Sequence, residues 1–424
     1  MFPNPKKLSK NHRAFAIVFL ATGIFLLLSY YVIPNLFDST YVAADLTSEK
    51  SFLKKEVKEI KPSVVHLETP EPLKAIYMSQ CVVGTPNFRQ SLVEQIERTE
   101  LNALMIDVKD FTGYLSFKTD NPKLINSVSK KCGAADMKEF IKSLHEKGIY
   151  VIARVTVFQD PYMSALRPDL AVRKKSDGGV WKDHKGLSFI DVGAKEHWDY
   201  IIEIAKESHA IGFDEINFDY VRFPSDGNMQ DTDFTHSRNI SKPEALRQFF
   251  EYLHNALKDT GMKTSVDIFG MTTTNTDDLN IGQVLENTFP YFDYVAPMVY
   301  PSHYPPNFNG WKNPNEHIYD IVNFAMGSAV KRAVATSTKI KLYNSTPIAS
   351  TTPQLYTKDV YDKLKLRTWI QDFDYGGNYG AKEVRAQIQA TYAVGLTSWM
   401  IWAPSNRYTE EGLLPESGVV PANP

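Results

Sequence analysis

Two aspartates carry the chemistry this sequence is best equipped to do. In DEINFDYVRFP (214–224), Ile216 and Phe218 suit the helix-facing side of a strand, which turns Glu215, Asn217 and Asp219 the other way. In TSVDIFG (264–270), Val266 and Ile268 face the helices and leave Ser265 and Asp267 inward. Asp219 and Asp267 are each the last inward residue of their stretch, so both fall at one rim on neighbouring strands. Such a pair suits glycoside hydrolysis, in which one carboxylate attacks or activates water and the other protonates the leaving oxygen. Rim acids also serve as metal ligands or general bases. A third use, an internal polar layer that ties strands together, fits the deeper Glu215 best.

Other inward polar positions follow from the same alternation. In ALMIDVK, Asp107 and Lys109 point in, either as an internal ion pair or as ligand contacts, and Arg154 on the next stretch has the same two uses. In TWIQDF, Trp369 and Gln371 form the inward pair; Asp372 points away or lies on the loop and stands as a candidate third acid. Aromatic residues crowd this rim: Tyr220, Phe269, Tyr300, His303, Tyr304, Trp369, Trp399 and Trp402. Flat rings pack on the apolar faces of sugars, although each ring taken alone fits ordinary core packing equally well. The candidate sugar contacts are therefore Tyr300, His303, Trp369, Trp399 and Trp402, with Gln371, Asn217 and Glu215, and the charged Asp107, Lys109, Arg154 and Arg222. The ten histidines form no H-E-x-x-H or H-x-H pair, and no G-x-S-x-G elbow or P-loop occurs, so the reading assigns no metal and no cofactor.

These side chains need a frame. Near-continuous apolar runs at 75–79, 103–109, 150–157, 214–220, 264–269, 294–300, 368–373 and 397–402 read as eight strands of a covered parallel sheet. Amphipathic stretches fall between them. Asp136 with Glu139, and Ser241 with Glu244, mark two helix starts. Gly148, Gly212, Gly261 and Gly395 each stop a helix just before a strand. The α/β pattern predicts a (β/α)8 TIM barrel over 74–424. A doubly wound sheet, the rival, would place a Gly-rich phosphate turn after the first strand, and QCVVGTPNF lacks one. Long loops at 160–191, 224–242, 301–315 and 341–365 mostly follow strand ends, where barrel active sites form.

Composition limits the alternatives. With 47 Lys+Arg against 49 Asp+Glu in 424 residues, no bulk basic surface exists for nucleic acid. Two cysteines, Cys81 and Cys132, exclude a disulfide-stapled scaffold and a four-cysteine zinc site; they are expected as isolated buried thiols, with one disulfide as the alternative. Residues 1–13 form a basic tail with Lys6, Lys7, Lys10 and Arg13. Residues 14–33 carry no charge and match the roughly 30 Å bilayer core. Residues 34–73 read as a stalk with acidic residues first. The positive-inside rule puts the N-terminus in the cytoplasm and the rest outside as a single-pass membrane protein, with secretion after signal cleavage as the alternative.

The strings GFDEINFDYVRFP, NALMIDVKDFTG, ARVTVFQDP, WIQDF and SWMIWAPSNRY together resemble a family of bacterial glycoside-hydrolase-like barrels, known mainly as a domain of unknown function, over about Lys74 to Tyr408. The family is similar to the α-amylase-like and α-galactosidase-like barrels. By position, the resemblance implies Asp219 as nucleophile, Asp267 as proton donor and Asp372 as transition-state support. Two positions depart from the amylase-like pattern: Asn217 stands where those barrels carry arginine, and Asp267 where they carry glutamate. The expected protein is a membrane-anchored extracytoplasmic hydrolase of a cell-surface or environmental polysaccharide. A catalytically silent carbohydrate-binding or envelope-structuring barrel, and a lyase or metal-dependent hydrolase, are the other classes.

Overall fold

The computed structural model describes residues 64–416. The expected basic tail, membrane segment and most of the stalk lie outside the described residues. Among the described residues, no helix is long and apolar enough to cross a membrane.

All eight expected strands form. They are β1 (Lys74–Met78), β2 (Ala103–Lys109), β3 (Tyr150–Thr156), β4 (Glu215–Asp219), β5 (Lys263–Phe269), β6 (Tyr294–Met298), β7 (Thr368–Gln371) and β8 (Trp399–Trp402). They pair in parallel and close into a barrel in chain order, β8 meeting β1. The β6–β7 seam is the thinnest, with Trp369 opposite Met298 as its pair between the strands proper.

Alternation produces two packed layers. Ile106, Val108, Ile216, Phe218, Val266 and Ile268 belong to the core between strands and helices. Ala75, Tyr77, Met105, Tyr150, Ile152, Ala296, Trp369 and Met400 fill the barrel interior. Burying each large apolar side chain contributes about 1.5–3 kcal/mol, so the register is set strongly. The same rule corrects one expectation. Trp399 shares the helix-facing layer with Ile401, and its Nε1 donates to Tyr392 Oη at 3.0 Å; Met400 and Trp402 are the residues of β8 that turn inward.

Six long helices cover the barrel: α1 (Pro86–Arg98), α2 (Met137–His145), α3 (Lys195–Ile211), α4 (Lys242–Leu257), α5 (Ile318–Val334) and α6 (Ala381–Ala393). The strict βα rhythm breaks after β5, where the chain makes 3-10 turns at Gly270–Thr273 and Leu285–Asn287, and after β8, where it makes one at Glu410–Gly412. The β5–β6 stretch MTTTNTDDLN offers no apolar stripe at helical spacing, and Leu279 and Asn280 both adopt positive φ. The four expected stop glycines all have positive φ. The two expected helix starts are correct in place but not in mechanism: neither Asp136 nor Ser241 caps with its side chain. Asp136 is drawn to Arg89, and Glu244 to Arg247.

Cys81 and Cys132 are not isolated buried thiols. They form a disulfide between the β1–α1 and β2–α2 connections, with Cys81 exposed and Cys132 half-buried. The two connections approach closely beside it. A Cβ on Gly84 would lie 2.4 Å from the Gly133 carbonyl oxygen, and one on Gly133 (φ 106°) would lie 2.3 Å from that of Ser116. Only glycine fits at either position. The crosslink spans 51 residues, so losing it in a Cys81→Ser/Cys132→Ser double variant should lower unfolding stability by about 2–4 kcal/mol. Denaturant titration with and without reductant measures this. A wild type insensitive to reductant and equal to the double variant would show that no bond forms.

Candidate active site

Neighbouring strands bring one arginine against three acids. Register pairs Asp107 on β2 with Arg154 on β3, and Arg154 with Asn217 on β4. Arg154 Nη1 donates to Asp107 Oδ1 at 2.5 Å, and Nη2 donates to Asp219 Oδ2. Its Nε stands 3.8 Å from Asp267 Oδ2. Tyr77 Oη donates to the second oxygen of Asp107. All three carboxylates are buried.

Their protonation differs. Asp267 is pushed from 3.8 up to about 8, first by burial and then by the charge of Asp219, with Arg154 opposing. Asn217 Nδ2 and Trp369 Nε1 both donate to its Oδ1, at 2.9 and 2.8 Å. Burial also raises Asp107, against the pull of Arg154 and the Tyr77 hydrogen bond. Asp219 accepts from the Tyr220 backbone N–H at 2.5 Å, and Tyr220 itself adopts φ 52°, rare for a bulky residue. Such backbone strain gathers at functional sites. An acid whose burial favours its protonated form and a carboxylate held by Arg154 therefore share one site.

Above them opens a cavity of about 280 Å³. Arg154, Asp219 and Asp267 supply its acid–base groups, and Tyr220, Phe269, Tyr304 and Met271 contribute rings and a thioether. Trp402 stacks on Tyr300 at 5.5 Å, with Trp369, Met298 and His303 nearby in the lining. Burial lowers the His303 pKa, which favours the neutral ring. Apolar ring faces beside a few polar groups are what a sugar site needs. Among the described residues, no group of three or more His, Cys, Asp and Glu side chains is arranged to hold a metal ion.

The sequence-predicted residues divide three ways. Asp219, Asp267, Arg154, Arg222, Tyr300, His303, Trp369 and Trp402 line the cavity. Asn217, Asp107 and Gln371 stand behind it: Asn217 holds Asp267, Asp107 holds Arg154, and Gln371 Oε1 accepts from Ser302 Oγ at 2.8 Å, which in turn meets His303 Nδ1 at 3.0 Å. Glu215, Lys109, Asp372 and Trp399 are not brought to it. Glu215 is deep in the barrel, bound by Arg367 Nη1 at 2.8 and 2.9 Å. Lys109 does not pair with Asp107, because a register irregularity follows Asp107; it meets Asp160 at 2.9 Å, both fully buried, and donates to the Thr156 carbonyl. Asp372 spends both oxygens on the backbone N–H and hydroxyl of Thr409, at 2.7 and 2.8 Å, so it is not a third acid of this cavity. Tyr77 is the supporting residue that sequence reasoning missed, although alternation in AIYM turns it inward with Ala75.

Residues 75–408 match the family described as "Putative glycosyl hydrolase domain". The chain belongs to this family. Among solved structures, the hydrolase barrel is similar to the PgaB (BpsB) glycoside hydrolase domain from Bordetella bronchiseptica, with a TM-score of 0.54 and 12% identity over 79% of this chain and 95% of that one. It is similar to alpha-L-fucosidase isoenzyme 2 from Paenibacillus thiaminolyticus, with a TM-score of 0.50 and 12% identity over 82% of this chain and 47% of that one. A hypothetical protein from Ruminiclostridium thermocellum ATCC 27405 shares 34% identity over 45% of this chain and 96% of its own, with a TM-score of 0.41. No curated protein matches the chain. At 12% identity, the first two likenesses speak to the barrel fold.

The raised Asp267 pKa fixes a sign. The folded state holds this proton more tightly than the unfolded chain between pH 3.8 and about 8, so stability is lost as pH rises through that window. Asp267→Asn should flatten that decline in melting temperature between about pH 4 and 8. An unchanged slope would mean that the proton is not held at Asp267.

Proposed function

We propose that this barrel hydrolyses a polysaccharide outside the cytoplasm, with Asp267 as general acid and Asp219 as nucleophile. The observation that carries the reading is the contact of both acids with one guanidinium inside an aromatic-lined cavity, one acid neutral by burial and the other held against a cation. In the first step, Asp267 gives its proton to the glycosidic oxygen as the bond to the anomeric carbon breaks. An Asp219 oxygen bonds that carbon, and the leaving sugar departs as an alcohol. In the second step, Asp267, now a carboxylate, takes a proton from water. That water displaces the Asp219 ester and restores both groups. Arg154 Nη2 donates to Asp219 and orients it. Both acids meet one guanidinium, and retention is the outcome we favour, as in the barrels the sequence resembles.

Asp219→Asn should abolish turnover with little change in melting temperature. Asp267→Ala should slow substrates with poor leaving groups by about 100-fold or more, and activated aryl glycosides far less, because these need little protonation. Kinetics on a matched pair of substrates tests this. Equal losses on both would remove Asp267 from the acid role.

The same proposal includes an uncleaved membrane anchor at 14–33, with the barrel extracytoplasmic. Two features support it: the uncharged run follows a basic tail, and the Cys81–Cys132 disulfide belongs in an oxidising compartment. The full chain should fractionate with membranes, and a chain starting at Asp38 should be soluble and folded. Recovery of the full chain in the soluble fraction at its full length would overturn the anchor.

A further inference from the structure

Arg222 stands three residues past Asp219 and lines the same cavity. Aromatic rings hold its guanidinium, whose carbon lies 5.0 Å from the centre of Phe269, 5.1 Å from Tyr220 and 5.8 Å from Phe189. Its Nη1 donates to the Phe223 carbonyl at 3.1 Å and to Ser225 Oγ at 3.3 Å. Those contacts use one side of the fork. The other side, Nε with Nη2, meets no acceptor among the described residues, and no carboxylate lies within ion-pair distance. Elsewhere in this chain that same edge takes a carboxylate two-handed. Arg98 holds Glu410 at 2.7 and 2.6 Å, Arg167 holds Asp169 at 2.8 and 2.6 Å, and Arg247 holds Glu244 at 2.8 and 2.9 Å.

The charge around the cavity points the same way. Arg154 already answers Asp107 and Asp219, so it offers a ligand no spare cation. Arg222 is a second cation with nothing of opposite sign beside it. Among the described residues, Asp219, Asp183 and Asp226 act on it only from beyond ion-pair distance, and Asp219 is already held by Arg154. Stacked guanidinium is weakly hydrated and keeps its donors in one plane, which suits it to planar oxyanions.

We infer that the substrate carries a carboxylate on the sugar unit next to the scissile bond, a uronic acid, and that the Nε–Nη2 edge of Arg222 binds it. This rests on the hydrolase reading, since it names the substrate class of the same cavity. Sulfate esters share the oxyanion chemistry but lack the planar match.

The test uses the full-length Asp219→Asn protein in detergent, so that binding is read without turnover. Its affinity is measured for polygalacturonate, alginate and glucuronoxylan, for the neutral polymers xylan and dextran, and for dextran sulfate. A uronate polymer should bind at least about tenfold more tightly than the neutral ones, the scale of one charge-assisted two-handed contact. Adding Arg222→Gln should erase that preference. Arg222→Lys should restore only part of it, because an ammonium keeps the charge without the fork. Thermal melts of both variants establish that they are folded. The inference fails if neutral polymers bind as well as uronates with no effect of Arg222→Gln, or if no uronate polymer binds. Binding of dextran sulfate alone, lost in Arg222→Gln, overturns the carboxylate in favour of a sulfate ester. The hydrolase reading is judged separately by wild-type turnover: cleavage of a neutral glycan that Arg222→Gln leaves untouched would sink the uronate and spare the hydrolase.

Discussion

Arg154 is a cation carried to the rim of a closed barrel and set against Asp107, Asp219 and Asp267. Without it, three buried carboxylates from three strands would gather with no ion-pair partner among the described residues. Burial and a neighbouring like charge both disfavour the ionised form of a carboxyl. One guanidinium settles the conflict unevenly. Its Nη groups hold Asp107 and Asp219 directly, whereas Asp267 meets only Nε, at 3.8 Å. Burial therefore favours the protonated form of Asp267, while Asp219 is held directly by the arginine. The different surroundings of Asp219 and Asp267 are thus an outcome of geometry at one side chain. Removing Arg154 would strand buried carboxylates at a cost of about 3–5 kcal/mol, whereas the near-isosteric Asp219→Asn leaves Arg154 paired with Asp107.

Polar groups continue below that clamp. Asn217 bridges Ser265 and Asp267, and one layer deeper Arg367 grips Glu215 while lying 3.3 Å over the Tyr294 ring. Tyr150 Oη adds a bond to Glu215 at 3.2 Å. The barrel is therefore not filled by apolar layers alone. Each buried charge has an opposite charge or donors of its own, which is the condition for polar groups to survive inside a core. The deep pair ties β4 to the residue that leads into β7 across the barrel interior.

Most of this was legible from a two-residue period. Near-continuous apolar runs located eight strands, and the period turned Glu215, Asn217 and Asp219 inward and put Asp219 and Asp267 at one end. The failures came where that rule was not applied or does not hold. Trp399 and Trp402 cannot both face the interior of one regular strand, yet both were expected there because both are aromatic. Lys109 obeys no simple alternation because the register slips after Asp107. Asp372 resembled a third acid by position, but its hydrogen bonds depend on where Thr409 folds back, 37 residues later. The disulfide depends on two loops crossing at Gly84 and Gly133, and spacing along the chain carries no sign of that.

The cavity lies where the barrel is least complete. β6 and β7 share Trp369 opposite Met298 as their pair, and both residues line the cavity. The connection into β6 has no long helix but 3-10 turns, and the first of these supplies Gly270 and Met271 to the same lining. The lost backbone bonds are offset from elsewhere: the Arg367 N–H still reaches the Val295 carbonyl at 3.0 Å, and Trp369 turns its indole N–H to Asp267 instead of to a structural partner. One residue thereby sits at the weakest strand contact and also donates to the carboxyl that must hold a proton. Asp219 and Asp267, although buried, line the cavity beside this seam.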